Sequence, residues 1–139
     1  MPESARHARL VQAIVAHAER RLGKVTDILV RDDAVRPLRG ERPPMLAGFM
    51  PDVYATDVPT TKTLVGEAKT ETDLETEHSR AQIAAFLEYL AYTPGGFFVL
   101  AVPVGVKPRA RWVLRELGRS LGENAPQTEV IDDSEVRTD

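Results

Sequence analysis

Six consecutive apolar residues, Phe97-Phe98-Val99-Leu100-Ala101-Val102, sit between Gly95-Gly96 and Pro103. The run is strand-sized, and with a side-chain period of two it presents apolar groups on both faces. A strand of this kind must be covered from both sides, which excludes an open single-layer sheet and calls for helices above and below.

Three stretches have the periodicity to provide that cover. Residues 4–22 place Leu10, Val11, Ile14, Val15, Ala18 and Leu22 on one stripe, with Ser4 as a candidate N-cap and Gly23 as a candidate stop. Residues 73–92 do the same with Ile83, Phe86, Leu87 and Leu90, and residues 108–121 with Ala110, Val113, Leu114, Leu117 and Leu121. Strand patterns occupy residues 24–31, 51–57 and 63–70, and Thr128–Ile131 can join as an edge strand. The order is helix, three strands, helix, strand, helix. The expected fold is α/β: a small mixed β-sheet flanked by helices, an αβββαβ core with an additional C-terminal helix. The 139 residues are enough for one buried core, and 1–131 reads as a single domain. Residues 132–139 read as an acidic, mobile tail.

Within this scaffold, Thr63 to Thr70 places Thr63, Val65, Glu67 and Lys69 on one face, with Glu67 inside a half-buried strand. An ordinary core strand would carry apolar residues there, because burying one charge alone is expensive. If Val58-Pro59-Thr60-Thr61 forms the loop of a hairpin, Asp57 lies opposite Lys62 and Asp52 opposite Glu67. Opposed side chains on antiparallel strands have Cβ atoms roughly 5 Å apart. Two carboxylates so placed raise each other's pKa unless a cation lies between them, and hard divalent cations take oxygen ligands of this type.

Pro51-Asp52 followed by Glu67-Ala68-Lys69 across a hairpin resembles the signature of the PD-(D/E)XK, or restriction-endonuclease-like, nucleases. Counting the order of elements, the resemblance extends over residues 5 to 121. It implies a magnesium-dependent nuclease hydrolysing phosphodiester bonds of nucleic acid, with DNA the expected polymer and manganese an expected substitute for magnesium. Asp52, Glu67 and the backbone carbonyl of Ala68 would be metal ligands. Lys69 would position or deprotonate the attacking water, and Gln82 would point at the active site from the second helix. The family often draws a further acid from the first helix; Glu19 is the candidate here, with Gln12 or His7 as replacements. Cutting both strands of a duplex needs two sites, so a homodimer or membership of a larger complex is expected. The competing reading is a non-catalytic assembly or nucleic-acid-binding protein on the same fold.

Charge is distributed unevenly about a net −3. Residues 1–42 hold nine Lys/Arg against six Asp/Glu, and residues 104–121 hold five against one. Acids gather at Glu71–Glu77 and after Leu121. Arg36, Arg39 and Arg42, and the row Arg111, Arg115, Arg119, are therefore the expected phosphate contacts. The absence of cysteine excludes disulfides, thiolate metal sites and a thiol nucleophile, and no nucleophile-elbow pattern occurs. With no long apolar run and no secretory pattern, a cytoplasmic location with no membrane partner is expected.

Overall fold

The computed structural model of the chain describes residues 5–22, 28–32, 42–57 and 61–135. The candidate cap Ser4, the stop Gly23, the start of the first strand pattern, Arg36, Arg39 and most of the 58–61 loop lie outside these residues.

Among the described residues a five-stranded sheet has its strands in chain order: β1 (Ile28–Asp32), β2 (Val53–Asp57), β3 (Thr63–Ala68), β4 (Gly96–Ala101) and β5 (Gln127–Ile131). β1, β2 and β3 pair antiparallel, and β4 and β5 continue in parallel. Helix α1 (Ala5–Leu22) covers one face. Helices α2 (Glu77–Ala91) and α3 (Lys107–Gly118) cover the other. This is the expected mixed α/β arrangement, with the edge strand present. No helix among the described residues is long and apolar enough to cross a membrane.

Two apolar layers follow from the alternation of the strands. Leu10, Ile14 and Ala18 of α1 meet Val53, Ala55, Leu64, Ala68 and Val99. On the far face Val65, Phe98 and Leu100 meet Ile83, Phe86 and Leu87 of α2 and Val113 of α3. The hairpin register is the expected one: Val53 pairs Gly66, Tyr54 pairs Val65, and Ala55 pairs Leu64. β3 differs from expectation in one respect. It lies in the middle of the sheet and is buried along its whole length, not half-buried.

Helix boundaries differ where side chains compete with the backbone. The second helix was expected from residue 73, but residues 71–75 are turns and the helix begins at Glu77. Thr70 O accepts the Asp73 and Leu74 N–H groups, and the fully buried Leu74 fixes the turn to the core. Thr76 then caps the helix by accepting Ser79 N–H at 3.1 Å. At the other end of the chain, α3 stops at Gly118 and a 3₁₀ segment runs on to Asn124, with Gly122 at φ +56°. The tail expected to be mobile from Asp132 begins instead as a docked turn. Asp132 accepts from Lys107 Nζ at 3.1 Å and from Ser134 N–H at 2.8 Å, and Asp133 pairs with Arg9. Residues 136–139 lie outside the described part.

α1 approaches the sheet most closely at Gly66, where a Cβ would sit 2.5 Å from Ile14 Cγ2. That methyl is carried on a branched, fully buried side chain and has little room to move. Gly66→Ala is therefore expected to destabilise the fold by about 1–3 kcal/mol. Combining it with Ile14→Ala should give a smaller loss than the sum of the two single changes, read from urea unfolding midpoints.

Candidate functional site

The site is built where the β2–β3 ladder ends. Asp57 N–H donates to Lys62 O, which makes 57/62, 55/64 and 53/66 the hydrogen-bonded pairs of the hairpin. The next position, Asp52 against Glu67, is a non-hydrogen-bonded one, where opposed side chains come closest. Here the side chains take over from the ladder. Glu67 Oε1 accepts Asp52 N–H at 2.8 Å, and Asp52 Oδ2 accepts Ala68 N–H at 2.8 Å. Each carboxylate thus satisfies a backbone donor of the opposing strand.

Lys69, one residue past β3, lies on the Glu67 side of the strand. Its Nζ donates to Gln82 Oε1 at 2.7 Å and stands 3.4 Å from Glu67 Oε2. α2 supplies Gln82 from the margin of its apolar face, two turns of chain after the Thr76 cap. From α1, His7 Nε2 reaches to 3.4 Å from Asp52 Oδ2. Asp52, Glu67, Lys69 and Gln82 therefore meet at one end of the sheet, as the sequence reading expected, and His7 joins them.

Burial sets the electrostatics. Glu67 is only 2% exposed, while the side chains of Lys69 and Asp52 retain 12% and 14%. Desolvation pushes the Glu67 carboxyl well above the usual carboxylate range, and the neighbouring Asp52 charge pushes it further. Lys69 and the Asp52 N–H group oppose that rise without cancelling it. The carboxyl is thereby poised to hold a proton, or to exchange it for a cation.

The remaining expectations fall differently. Glu19 is twelve residues beyond His7 on α1, about 18 Å along the helix axis. Gln12 is exposed. Neither accompanies His7 to Asp52. The Ala68 group that meets Asp52 is its N–H, whereas the resemblance assigns a role to its carbonyl. Among the described residues no set of three or more His, Asp or Glu side chains is arranged to hold a metal ion. Asp52 and Glu67 nevertheless suit magnesium, which is commonly held by one or two carboxylates and keeps several waters.

Other charged pairs surround the site that motif reading did not find. Arg6 Nη1 meets Glu71 Oε1 at 2.9 Å, and together with Pro103 to Val106 these residues line a cleft of about 360 Å³ beside the start of α1. Sequence offered only one signal for this pairing, the excess of acids at 71–77 and of bases on the first helix. The arginine row Arg111, Arg115, Arg119 lies elsewhere, along β5, with β4 between that strand and β3. Comparison with family models, curated proteins and solved structures gives no match to this chain.

The raised Glu67 pKa has a defined consequence for stability. In the unfolded chain this carboxyl returns to an ordinary value near 4.5. Its contribution is fully present below that pH and is lost as the pH rises through the higher folded value. Without metal, stability should therefore fall with rising pH across that interval, and Glu67→Gln should flatten the fall. Urea midpoints measured between pH 4 and 9 on both proteins check this.

Proposed function

We propose that the protein is a divalent-metal-dependent nuclease that hydrolyses phosphodiester bonds of nucleic acid, with DNA as its substrate. The observation carrying this reading is the convergence of Asp52, Glu67 and Lys69 at the end of one hairpin, with the Glu67 carboxyl buried and destabilised as an anion. These are also the signature residues of the resemblance to PD-(D/E)XK nucleases. A bound magnesium or manganese ion would neutralise charge at the phosphate and lower the pKa of a water. Asp52 and Glu67 would hold it, each oriented by its backbone hydrogen bond to the opposite strand. Lys69 would face the developing negative charge or take a proton from the water, and Gln82 would fix the ammonium group in position. Work as a homodimer, or as a subunit of a larger complex, belongs to the same reading.

One observation favours the non-catalytic alternative. Glu67 caps Asp52 N–H from a fully buried position and pairs with Lys69, so both groups already have a structural use. A protein that only binds nucleic acid or assembles with others on this fold would need nothing more from them.

Cleavage assays on single- and double-stranded DNA and on RNA, with magnesium or manganese, separate the two. The expected result is metal-dependent cleavage that Lys69→Ala lowers by about 10²–10⁴-fold while the variant stays folded. Saturating magnesium should also stabilise the wild type, by about 2.7 kcal/mol at one hundred times the dissociation constant, and should do so far less in Asp52→Asn. A folded protein that neither cuts nor gains stability from metal removes the nuclease reading and leaves the alternative.

A further inference from the structure

Among the described residues β5 is the last strand of the sheet, paired only on its β4 side. Ile131 turns its carbonyl toward β4, where Val102 N–H donates to it at 2.9 Å. Successive peptide units on a strand point to opposite sides, so Thr128 and Val130 turn their N–H and C=O groups away from the sheet. An open edge of this kind is a template for another strand.

A groove of about 800 Å³ runs beside that edge, between β5, the second half of α3 and the 3₁₀ segment that follows. Leu114, Pro126 and Val130 give it an apolar lining, and Arg111, Arg115 and Arg119 stand along it. Arg119, at the start of the 3₁₀ segment, is paired with Glu116 of α3. Arg111 and Arg115 are exposed, with no ion pair or hydrogen bond among the described residues. Glu129 also borders the groove, but its carboxylate is occupied by His17 at 3.0 Å and by Arg21, both on α1.

We propose that the β5 edge and its arginine row form a docking site for an extended peptide segment with acidic side chains at alternate positions, added to the sheet as a sixth strand. The spacings agree. Arginines four residues apart on a helix step by about 6 Å, and alternate residues of a strand step by about 6.6 Å. Because β4 and β5 are parallel, the crossover helix α3 runs back alongside them, and the line from Arg111 to Arg115 on it follows the strand direction. Every second side chain of an added strand would face that row, while its backbone met the outward amides of Thr128 and Val130.

Other occupants satisfy less of the surface. A second copy pairing through its own β5 would bring a second arginine row toward the first. A nucleic-acid strand would meet the arginines and leave the outward amides of β5 without a matching ladder. The proposal is independent of the nuclease reading, because the groove lies across the sheet from Asp52 and Glu67.

Fluorescence anisotropy on the full chain tests it with three labelled probes. They are a heptapeptide alternating glutamate and valine, a heptapeptide of the same composition with its glutamates contiguous, and a single-stranded DNA 20-mer. The alternating peptide should bind at least tenfold more tightly than the contiguous one. Arg111→Glu with Arg115→Glu should weaken it at least tenfold without changing the melting temperature. Thr128→Pro, which removes one outward N–H from an edge strand, should weaken it several-fold. Equal binding of the two peptides would reduce the site to non-specific charge attraction and overturn strand addition. Arginine-dependent binding of the DNA alone would assign the row to phosphates instead. Absence of binding by all three probes would leave the arginines as guards against edge pairing and would also overturn the proposal.

Discussion

The two hydrogen bonds from Asp52 N–H to Glu67 and from Ala68 N–H to Asp52 form the contact on which the candidate site depends. Each carboxylate accepts an N–H from the opposing strand at 2.8 Å, and the two bonds finish a hairpin whose regular ladder ends at Val53 and Gly66. Bonds from backbone donors to carboxylates are stronger than neutral ones, and here they hold two carboxyl groups within reach of each other. Lys69 is the only cation placed to offset both the burial of Glu67 and its repulsion from Asp52 through a direct ion pair with Glu67 among the described residues. Gln82 then holds Lys69, so the second helix is tied to the same point. Four elements meet through polar groups at the end of a sheet whose centre is otherwise apolar.

This arrangement is costly as a purely structural device. Central strands are most stable when filled with apolar groups, and β3 follows that rule at Leu64, Val65 and Ala68. Replacing a buried ion pair by apolar residues of similar volume is often neutral or stabilising. Glu67 therefore weakens the position it occupies, and the residual elevation of its pKa shows that Lys69 does not compensate it fully. A group held in this state has a gain available from binding a proton or a cation, and that links Glu67 to the proposed chemistry.

The hairpin and its register were legible because two signals agreed. The turn chemistry of the Val58-Pro59-Thr60-Thr61 interval set the loop length, and the period of two then placed Asp52 against Glu67 with no further freedom. Helix stripes were legible for the same reason, since Ile83, Phe86, Leu87 and Leu90 repeat at helical spacing and all are buried. Residues 71–76 were not legible: both a first helical turn and a turn capped by Thr76 suit threonines and acids, and the buried Leu74 decided between them. The two-sided burial of β3 was hidden as well, because Glu67 and Lys69 mask an apolar pattern that only the strand order reveals. His17 carries no signal of core or site in the sequence pattern, yet it is buried and faces Glu129 on β5. Burial keeps its pKa below the usual histidine value although Glu129 pulls it upward.

Sequence left three choices for the first helix, and the packing of one glycine separates them. Ile14 sits over Gly66, which fixes both the rotation of α1 and its position along the sheet. At about 100° per residue, His7 is two turns back from Ile14 and returns to within about 20° of the same face. Its distance along the axis is about 10 Å, which carries it past Gly66 to the end of the sheet where Asp52 lies. Gln12, two residues from Ile14, is turned by about 200° and points to solvent. Glu19, five residues on, is turned by about 140° and lies toward the opposite end of the helix. The absence of a side chain at position 66 thus selects a histidine, and neither the glutamine nor the glutamate, as the α1 residue that meets Asp52.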